Sequence, residues 1–514
     1  MTAADNTSVN LDDYPAATVW LDRSIIFWLF VFAAFAPHSI AVTQGAWLFA
    51  LLFWGLRLLV RPRLAFPRSP VLLPILVFFG VTVVSSVLSY ERAVSVGKLR
   101  AAALFTIVLV VAHAVRAPRI RCALALVLLA SSLVGVGHTV IQRALGRGVQ
   151  VEGVVPNGPL TRGIFRAESG QTAPLPVVNG DTLMEIDGQK VINPDQIVNA
   201  LSDASRPGPA RLRIYHLEGL PIVELPRGGL LNGTTAEERL GFTGWRRARD
   251  WRAGGLYGQY VTFAETLQLT ASLAFGFFIA FKPKRSLAVL LFLVAFGGLC
   301  LALLLTATRA SELGLLVSAF VIVVAGASRR GLIVLVAVAI PLVLAGMFVV
   351  QQYRQVGLVD KSDGSTQWRV TVWREGFGLL VSKPRHLLVG VGMDSIKTHW
   401  REWNLFDSGK LPPSHMHNTP LQLALERGVP ALLIWLWLLF AYARWLWMRL
   451  RTADRSDWCE RGILLGAMGG MAGFFISGML HYNLGDSEVA MIFYFLLGLT
   501  LVSRKIPVAK TGGN

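Results

Sequence analysis

Apolar residues fill most of this chain in runs of about 17 to 25, the length that carries an α-helix across the hydrocarbon of a bilayer. Twelve such runs are predicted, at 24–42, 44–60, 71–90, 99–115, 121–141, 258–281, 286–306, 310–327, 331–352, 420–445, 461–481 and 486–503. Pro37 and His38 interrupt the first two. The pattern breaks twice, at 142–257 and 353–419, where polar residues dominate. The chain therefore divides into a tail (1–23), N-terminal membrane helices (24–141), a first polar loop (142–257), central membrane helices (258–352), a second polar loop (353–419), C-terminal membrane helices (420–503) and a tail (504–514).

Within the first polar loop the period changes to strand-like alternation. In "VVNGDTLMEIDGQKVINPDQIVNAL", Leu183 and Ile186 flank an Asp187-Gly188 hairpin signal, and Asn193 or Asp195 suits the cap of a helix over 195–201. "ARLRIYHLEG" predicts a further strand. In the second polar loop, Val370, Trp373, Phe377 and Leu380 are spaced as the apolar stripe of a helix that ends near Gly390 and Gly392.

Composition supports the membrane reading. The 514 residues are 54% hydrophobic and 16% charged with mean hydropathy +0.53, against about 25% charged in soluble domains. The acidic N-terminus has no basic n-region, so no cleaved signal peptide is expected despite Ala34-Phe35-Ala36, and the first span is expected to be retained. The net charge of +18 raises the question of nucleic acid, but the basic residues sit in short loops between spans and none is expected as a partner. Arg57, Arg61, Arg63 and Arg68 follow the second span, Arg116, Arg119 and Arg121 the fourth, Lys282, Lys284 and Arg285 the sixth, and Arg329 and Arg330 the eighth. Arg449, Arg451, Arg455 and Arg461 follow the tenth, and Arg504 and Lys505 the last. Basic even-numbered exits predict two cytoplasmic termini and two outward-facing polar loops. The three cysteines, Cys122, Cys300 and Cys459, fall at membrane or cytoplasmic positions, so no disulfide is expected, and none has metal-site spacing.

Four polar groups gather at the predicted outer face. In "HMHNTPLQLALERG", Asn418 or Thr419 suits an N-cap and Pro420 a first helical turn, which puts His417 at the positive end of a helix. That field favours an anionic ligand and disfavours the imidazolium, leaving an imidazole able to accept a proton. Asn418, Gln422 and Glu426 recur every four residues as one polar stripe, which faces the protein interior rather than lipid. Arg309, in "LLLTATRASELG", lies close to membrane depth, where it pairs with Glu312 or binds an anion. Arg246, Arg247, Arg249 and Arg252 approach Gly254, Gly255 and Gly258 at the mouth of the sixth span, and Arg252 is nearest the glycines; the rival reading is an interfacial anchor with Trp245 and Trp251. Arg369 and Arg374 help hold an anion or solvate their helix. Glu265, His481 and Asp486 are supporting candidates, and Asp486 with Glu488 is also read as a cation pair of lower weight.

The order of these motifs resembles the O-antigen ligase and polymerase superfamily, membrane glycosyltransferases that move glycans from an undecaprenyl-diphosphate carrier. Its His-Asn, nine residues, Gly pattern is met by His417-Asn418 and Gly428, with Ala431 as a departure at the last position. "RAGG" at 252–255, "TRA" at 308–310 and "RVTVWREGF" through "GVG" resemble its remaining motifs, over roughly 245–500. The resemblance implies that Arg252 and Arg309 grip a diphosphate and that His417 is the general base on an acceptor hydroxyl, with neither nucleotide nor metal required. The acceptor it implies is a lipid A core sugar, another lipid-linked repeat or a protein hydroxyl, in a bacterial inner membrane with the site facing the periplasm. Residues 160–226 resemble a PDZ domain, with "RGIF" at 162–165 as its carboxylate loop; this implies a peptide partner, against the alternative of a passive insert. The expected fold is thus all-α and polytopic with a small α+β insert. A lipid-linked sugar transporter or flippase, and a scaffold of a polysaccharide assembly complex, are the rival functions.

Overall fold

The computed structural model describes residues 16–60, 69–166, 172–216, 219–249, 251–328, 333 and 364–502. Helices dominate. Those of the N-terminal part are α1 (Ala16–Phe35), α2 (Ile40–Val60), α3 (Leu72–Val87), α4 (Arg92–Gly97), α5 (Leu99–Ala102), α6 (Thr106–Ala114) and α7 (Pro118–Leu145). An insert with two short helices, α8 (Pro194–Ser202) and α9 (Ala236–Leu240), follows. Then come α10 (Tyr260–Ala280), α11 (Leu287–Leu305), α12 (Arg309–Gly326), α13 (Gly364–Val381), α14 (Pro384–Val389), α15 (Ser395–His399), α16 (Thr419–Arg427), α17 (Val429–Thr452), α18 (Trp458–Gly478) and α19 (Ser487–Leu501).

Among the described residues nine helical segments are long and apolar enough to cross a membrane: α1, α2, Arg92–Ala114, α7, α10, α11, α12, α17 and α18. Two of the twelve expected spans form shorter apolar helices, α3 and α19. The span expected at 331–352 lies outside the described residues. The span expected at 420–445 is broken: α16 stops at Arg427 and α17 restarts at Val429, because Gly428 turns the backbone to φ 84°. Pro430 then enters the first turn of α17, where its missing N–H costs nothing.

Helix α10 is buried on nearly every face, and glycines let its neighbours approach. A Cβ on Gly276 would lie 2.5 Å from the Gly462 carbonyl oxygen of α18, and one on Gly473 would lie 2.6 Å from the Gly314 oxygen of α12. Gln268 donates to Ser318 Oγ at 2.7 Å, and Ser318 Oγ donates to the Gly469 oxygen at 2.7 Å. Small residues plus interhelical hydrogen bonds are what hold helices together where lipid removes the hydrophobic difference.

The chain divides into two compact units, one of which comprises residues 136–253 with 408–413. Its sheet is antiparallel, in the order β3 (Thr172–Pro174), β2 (Ile164–Arg166), β7 (Ile222–Leu225), β6 (Ala210–Tyr215), β4 (Thr182–Ile186), β1 (Arg147–Glu152), β8 (Gly244–Ala248), with β5 (Gln189–Lys190) on β4. The Asp187-Gly188 turn has both φ values positive, as a two-residue hairpin of this twist requires. Asn193 caps α8 in a capping box with Gln196. Val149, Leu183, Ile197, Leu212, Ile214 and Val223 form the core. The sheet takes in β1 and β8, on either side of 160–226. Strand β2, which carries the end of "RGIF", pairs with β3 on one edge and β7 on the other, so neither edge accepts an added peptide strand.

Two other expectations change. Val370 and Phe377 of α13 are exposed, and the buried face is Val372, Gly376, Leu379 and Leu380, a rotation of the expected stripe. Cys122 and Cys459 form a disulfide between α7 and α18, with Cα atoms 6.0 Å apart. Spacing along the chain hides this, because 337 residues separate the pair and only the packing of the two helix starts joins them. At the same end Glu460 accepts from Arg449 at 2.6 Å and lies 3.6 Å from Arg121, so loops with basic charge are held together there by one carboxylate.

Candidate functional site

The break between α16 and α17 builds the centre of the site. Asn418 is the N-cap of α16: its side-chain oxygen accepts from the Leu421 N–H at 2.8 Å, while its amide donates to the Met479 carbonyl at 2.8 Å. Thr419 donates through its hydroxyl to the His481 carbonyl at 3.0 Å or to Asn483 Oδ1 at 2.9 Å. The start of α16 is therefore stapled to the turn between α18 and α19. His417, immediately before the cap, adopts φ 46°, a left-handed backbone that costs a non-glycine residue about 1 kcal/mol or more.

Two rings flank His417 there, and the residue before it is pinned on both sides. The His417 N–H donates to His415 Nδ1 at 3.2 Å, and the two rings lie 3.9 Å apart. Trp368 of α13 meets the imidazole edge-on at 4.6 Å. Between the two histidines, the Met416 N–H donates to Gln422 Oε1 at 2.7 Å, and the Met416 carbonyl accepts from the Trp373 indole at 2.7 Å. Burial pushes the His417 pKa down to about 2, reinforced by His415, His481 and Arg369. Burial likewise takes His415 down to about 4. Both imidazoles are neutral at neutral pH, which leaves a ring nitrogen able to accept a proton.

Behind the histidines runs a buried polar chain. Gln422 donates to Glu426 Oε1 at 2.8 Å, the Asp394 N–H donates to the same oxygen at 3.0 Å, and the Tyr482 hydroxyl donates to Glu426 Oε2 at 3.2 Å. Burial raises the Glu426 pKa against the opposing effects of Arg427, the Asp394 N–H and Gln422. Gly390 and Gly428 permit the close approach this needs, since a Cβ on Gly390 would sit 2.4 Å from the Glu426 oxygen and one on Gly428 2.4 Å from the Leu388 oxygen. Arg427 turns away, donating to Met393 Sδ at 3.3 Å and lying over the Phe78 ring.

The remaining candidates are placed as follows. Arg369 is partly buried, and Arg374, on the same helix, is exposed. Arg309 is the first residue of α12, after the N-cap Thr308. Glu265, inside α10, receives His481 Nδ1 at 3.0 Å, and both side chains are buried. Asp486 caps α19 and accepts from the Thr262 hydroxyl at 2.5 Å. Arg252 belongs to the other compact unit. His415 is not among the expected site residues, because the motif spacing selects His417, yet a two-residue separation across a tight turn folds the first ring onto the second. Tyr482, beside the expected His481, and Trp368 were also missed.

Residues 294–436 match the family model described as O-Antigen ligase. No curated protein matches the chain. The matched stretch holds Arg309, Arg369, Arg374, His417, Asn418, Gln422 and Glu426; Arg252, Glu265, His481 and Asp486 lie outside it. With at least nine helices fit to cross a membrane, this match supports placing the chain in the O-antigen ligase/polymerase superfamily.

Proposed function

We propose that this protein transfers a glycan from an undecaprenyl-diphosphate carrier to an acceptor hydroxyl, with inversion at the anomeric carbon. The observation that carries the reading is His417: a desolvated, neutral imidazole fixed in a strained backbone directly before a capped helix, inside the stretch matched by the O-antigen ligase model. The acceptor oxygen attacks the anomeric carbon and gives its proton to His417, while the bond to the diphosphate oxygen breaks and that oxygen keeps the electron pair. Arg309 holds the leaving diphosphate, aided by Arg369 and Arg374, and their positive charge matches the charge that develops there; the role for Arg252 rests on the motif resemblance alone. Glu426, Gln422 and Asn418 position the histidine. Glu265, His481 and Asp486 support the turn on which α16 is stapled. With guanidinium groups at the leaving diphosphate, neither metal nor nucleotide enters the reaction.

The site faces the periplasm and both termini the cytoplasm of a bacterial inner membrane, consistent with basic residues at every even-numbered exit. The PDZ-like insert recruits a periplasmic peptide or protein. Its peptide would add at a terminal strand, β3 or β8, because β2 is enclosed.

The test incubates purified protein with the lipid-linked glycan and, in separate arms, a lipid A core acceptor or a second lipid-linked repeat. Transfer to the first marks a ligase and to the second a polymerase. His417→Ala is expected to lower turnover by about 10²–10⁴-fold; turnover equal to the unsubstituted protein overturns the mechanism. Chelation with EDTA is expected to leave the rate unchanged.

A further inference from the structure

A second cluster of side chains lies at the end of α15 and beyond, and the transfer chemistry leaves it unused. Tyr90, from the turn after α3, meets His399 and Trp403, and its neighbour Glu91 meets His399; Glu402 joins through His399, which Trp400 directly follows in the chain. Tyr90 stands edge-on to Trp403 at 5.4 Å, and His399 stacks on the same indole at 5.1 Å with planes 25° apart. His399 is clamped by a carboxylate at each ring nitrogen, Nε2 to Glu91 at 3.0 Å and Nδ1 to Glu402 at 2.8 Å. The rings are only half-buried, and Glu402 is exposed. The backbone ties this cluster to the site: the Tyr90 N–H donates to the Val391 carbonyl at 3.2 Å, and the Asp394 N–H, three residues on, donates to Glu426. Arg385 lies over the Tyr90 ring at 4.1 Å and Arg401 over Trp400 at 4.8 Å, so each of these rings has one face covered by a cation.

We propose that Tyr90, His399, Trp400 and Trp403, with Glu91 and Glu402, form a subsite for an uncharged stretch of glycan. The proposal rests on the transferase reading and adds to it where the sugar lies. Half-exposed indole and phenol rings present an apolar body with a polar rim, which suits the CH face of a pyranose bordered by hydroxyls. Carboxylates at that rim accept hydrogen bonds from sugar hydroxyls, and Glu91 and Glu402 offset the charge of Arg385 and Arg401, so the cluster has no excess of positive charge to draw a diphosphate and the occupant is the sugar chain. The rival occupant, a lipid headgroup at an interfacial aromatic belt, predicts no response to free sugar.

The experiment applies the full-length protein in detergent to a printed array of bacterial glycans. The unsubstituted protein is expected to be retained on a defined subset. Trp403→Ala and Trp400→Ala are expected to lose that signal by about tenfold, with Trp403→Phe retaining most of it and all variants eluting as folded monodisperse protein. Retention on no glycan, or an unchanged signal in both tryptophan variants, overturns the subsite. Retained binding with no transfer to any acceptor sinks the transferase reading and leaves the subsite standing.

Discussion

At the scale of single residues, His417 owes its protonation state to where the backbone puts it. Burial is the largest effect and lowers its pKa, so in the ligand-free protein the imidazole is neutral down to strongly acid pH. A diphosphate arriving beside the ring stabilises the imidazolium and raises the pKa. The profile of kcat/KM, which reports the free protein, should therefore show no acid limb from this group over roughly pH 5–8, whereas kcat, which reports the complex, should fall on the acid side. Initial rates at limiting and saturating donor separate the two, and an ordinary histidine limb in kcat/KM would contradict the burial argument. His415 enters here as a positioning residue. Losing its acceptor for the His417 N–H frees the strained φ, and His415→Ala is expected to cut kcat by about tenfold to a hundredfold with the donor KM little changed.

At the scale of elements, the α16–α17 break decides the site. Asn418→Ala removes one cap bond and the tether to Met479, so it should cost about 1 kcal/mol or more, read as a lowered Tm in detergent, while Asn418→Asp should restore only the cap, because a carboxylate has no N–H for the Met479 carbonyl. Gly428→Ala is harsher, because φ 84° and the Leu388 oxygen 2.4 Å from the new Cβ both oppose it. The expected outcome is loss of the monodisperse peak in fluorescence-detected chromatography. These elements were partly legible in the chain: the Asn418 cap, the Asp187-Gly188 hairpin and the helix after Asn193 are local signals that the fold keeps. The break at Gly428 was not, since an apolar run with one glycine reads as a continuous span, and only the tertiary contact with Leu388 makes that glycine a hinge. The face of α13 was misjudged for a related reason. In a chain with apolar surroundings on several sides, exposed Val370 and Phe377 do not mark the core, so an apolar stripe no longer identifies the buried face.

At the scale of the whole molecule, pairings between distant segments carry what periodicity cannot. The charge alternation assigns the turn after α3 and the 353–419 loop to one side, and the bond from Tyr90 to Val391 joins them. It assigns 116–121 and 449–461 to the other, and Glu460 joins those. The same rule produced the wrong expectation for cysteine. A side kept reducing gives no reason to look for a disulfide, and 337 residues of separation give no local cue, yet Cys122 and Cys459 are bonded. A cross-link closing so long a loop should restrict the unfolded chain and contribute about 2–4 kcal/mol when oxidised. Thermal unfolding of purified protein tests this in two arms. Without reductant, the unsubstituted protein should melt several degrees above the Cys122→Ser/Cys459→Ser variant, by about 2–4 °C per kcal/mol for a domain of 150–250 residues and less for a longer chain. With excess reductant the two should melt together. Coincident curves in both arms would mean that the thiols stay unpaired in the purified protein, and that packing with the Arg121, Arg449 and Glu460 cluster alone holds this end of α7 and α18 together.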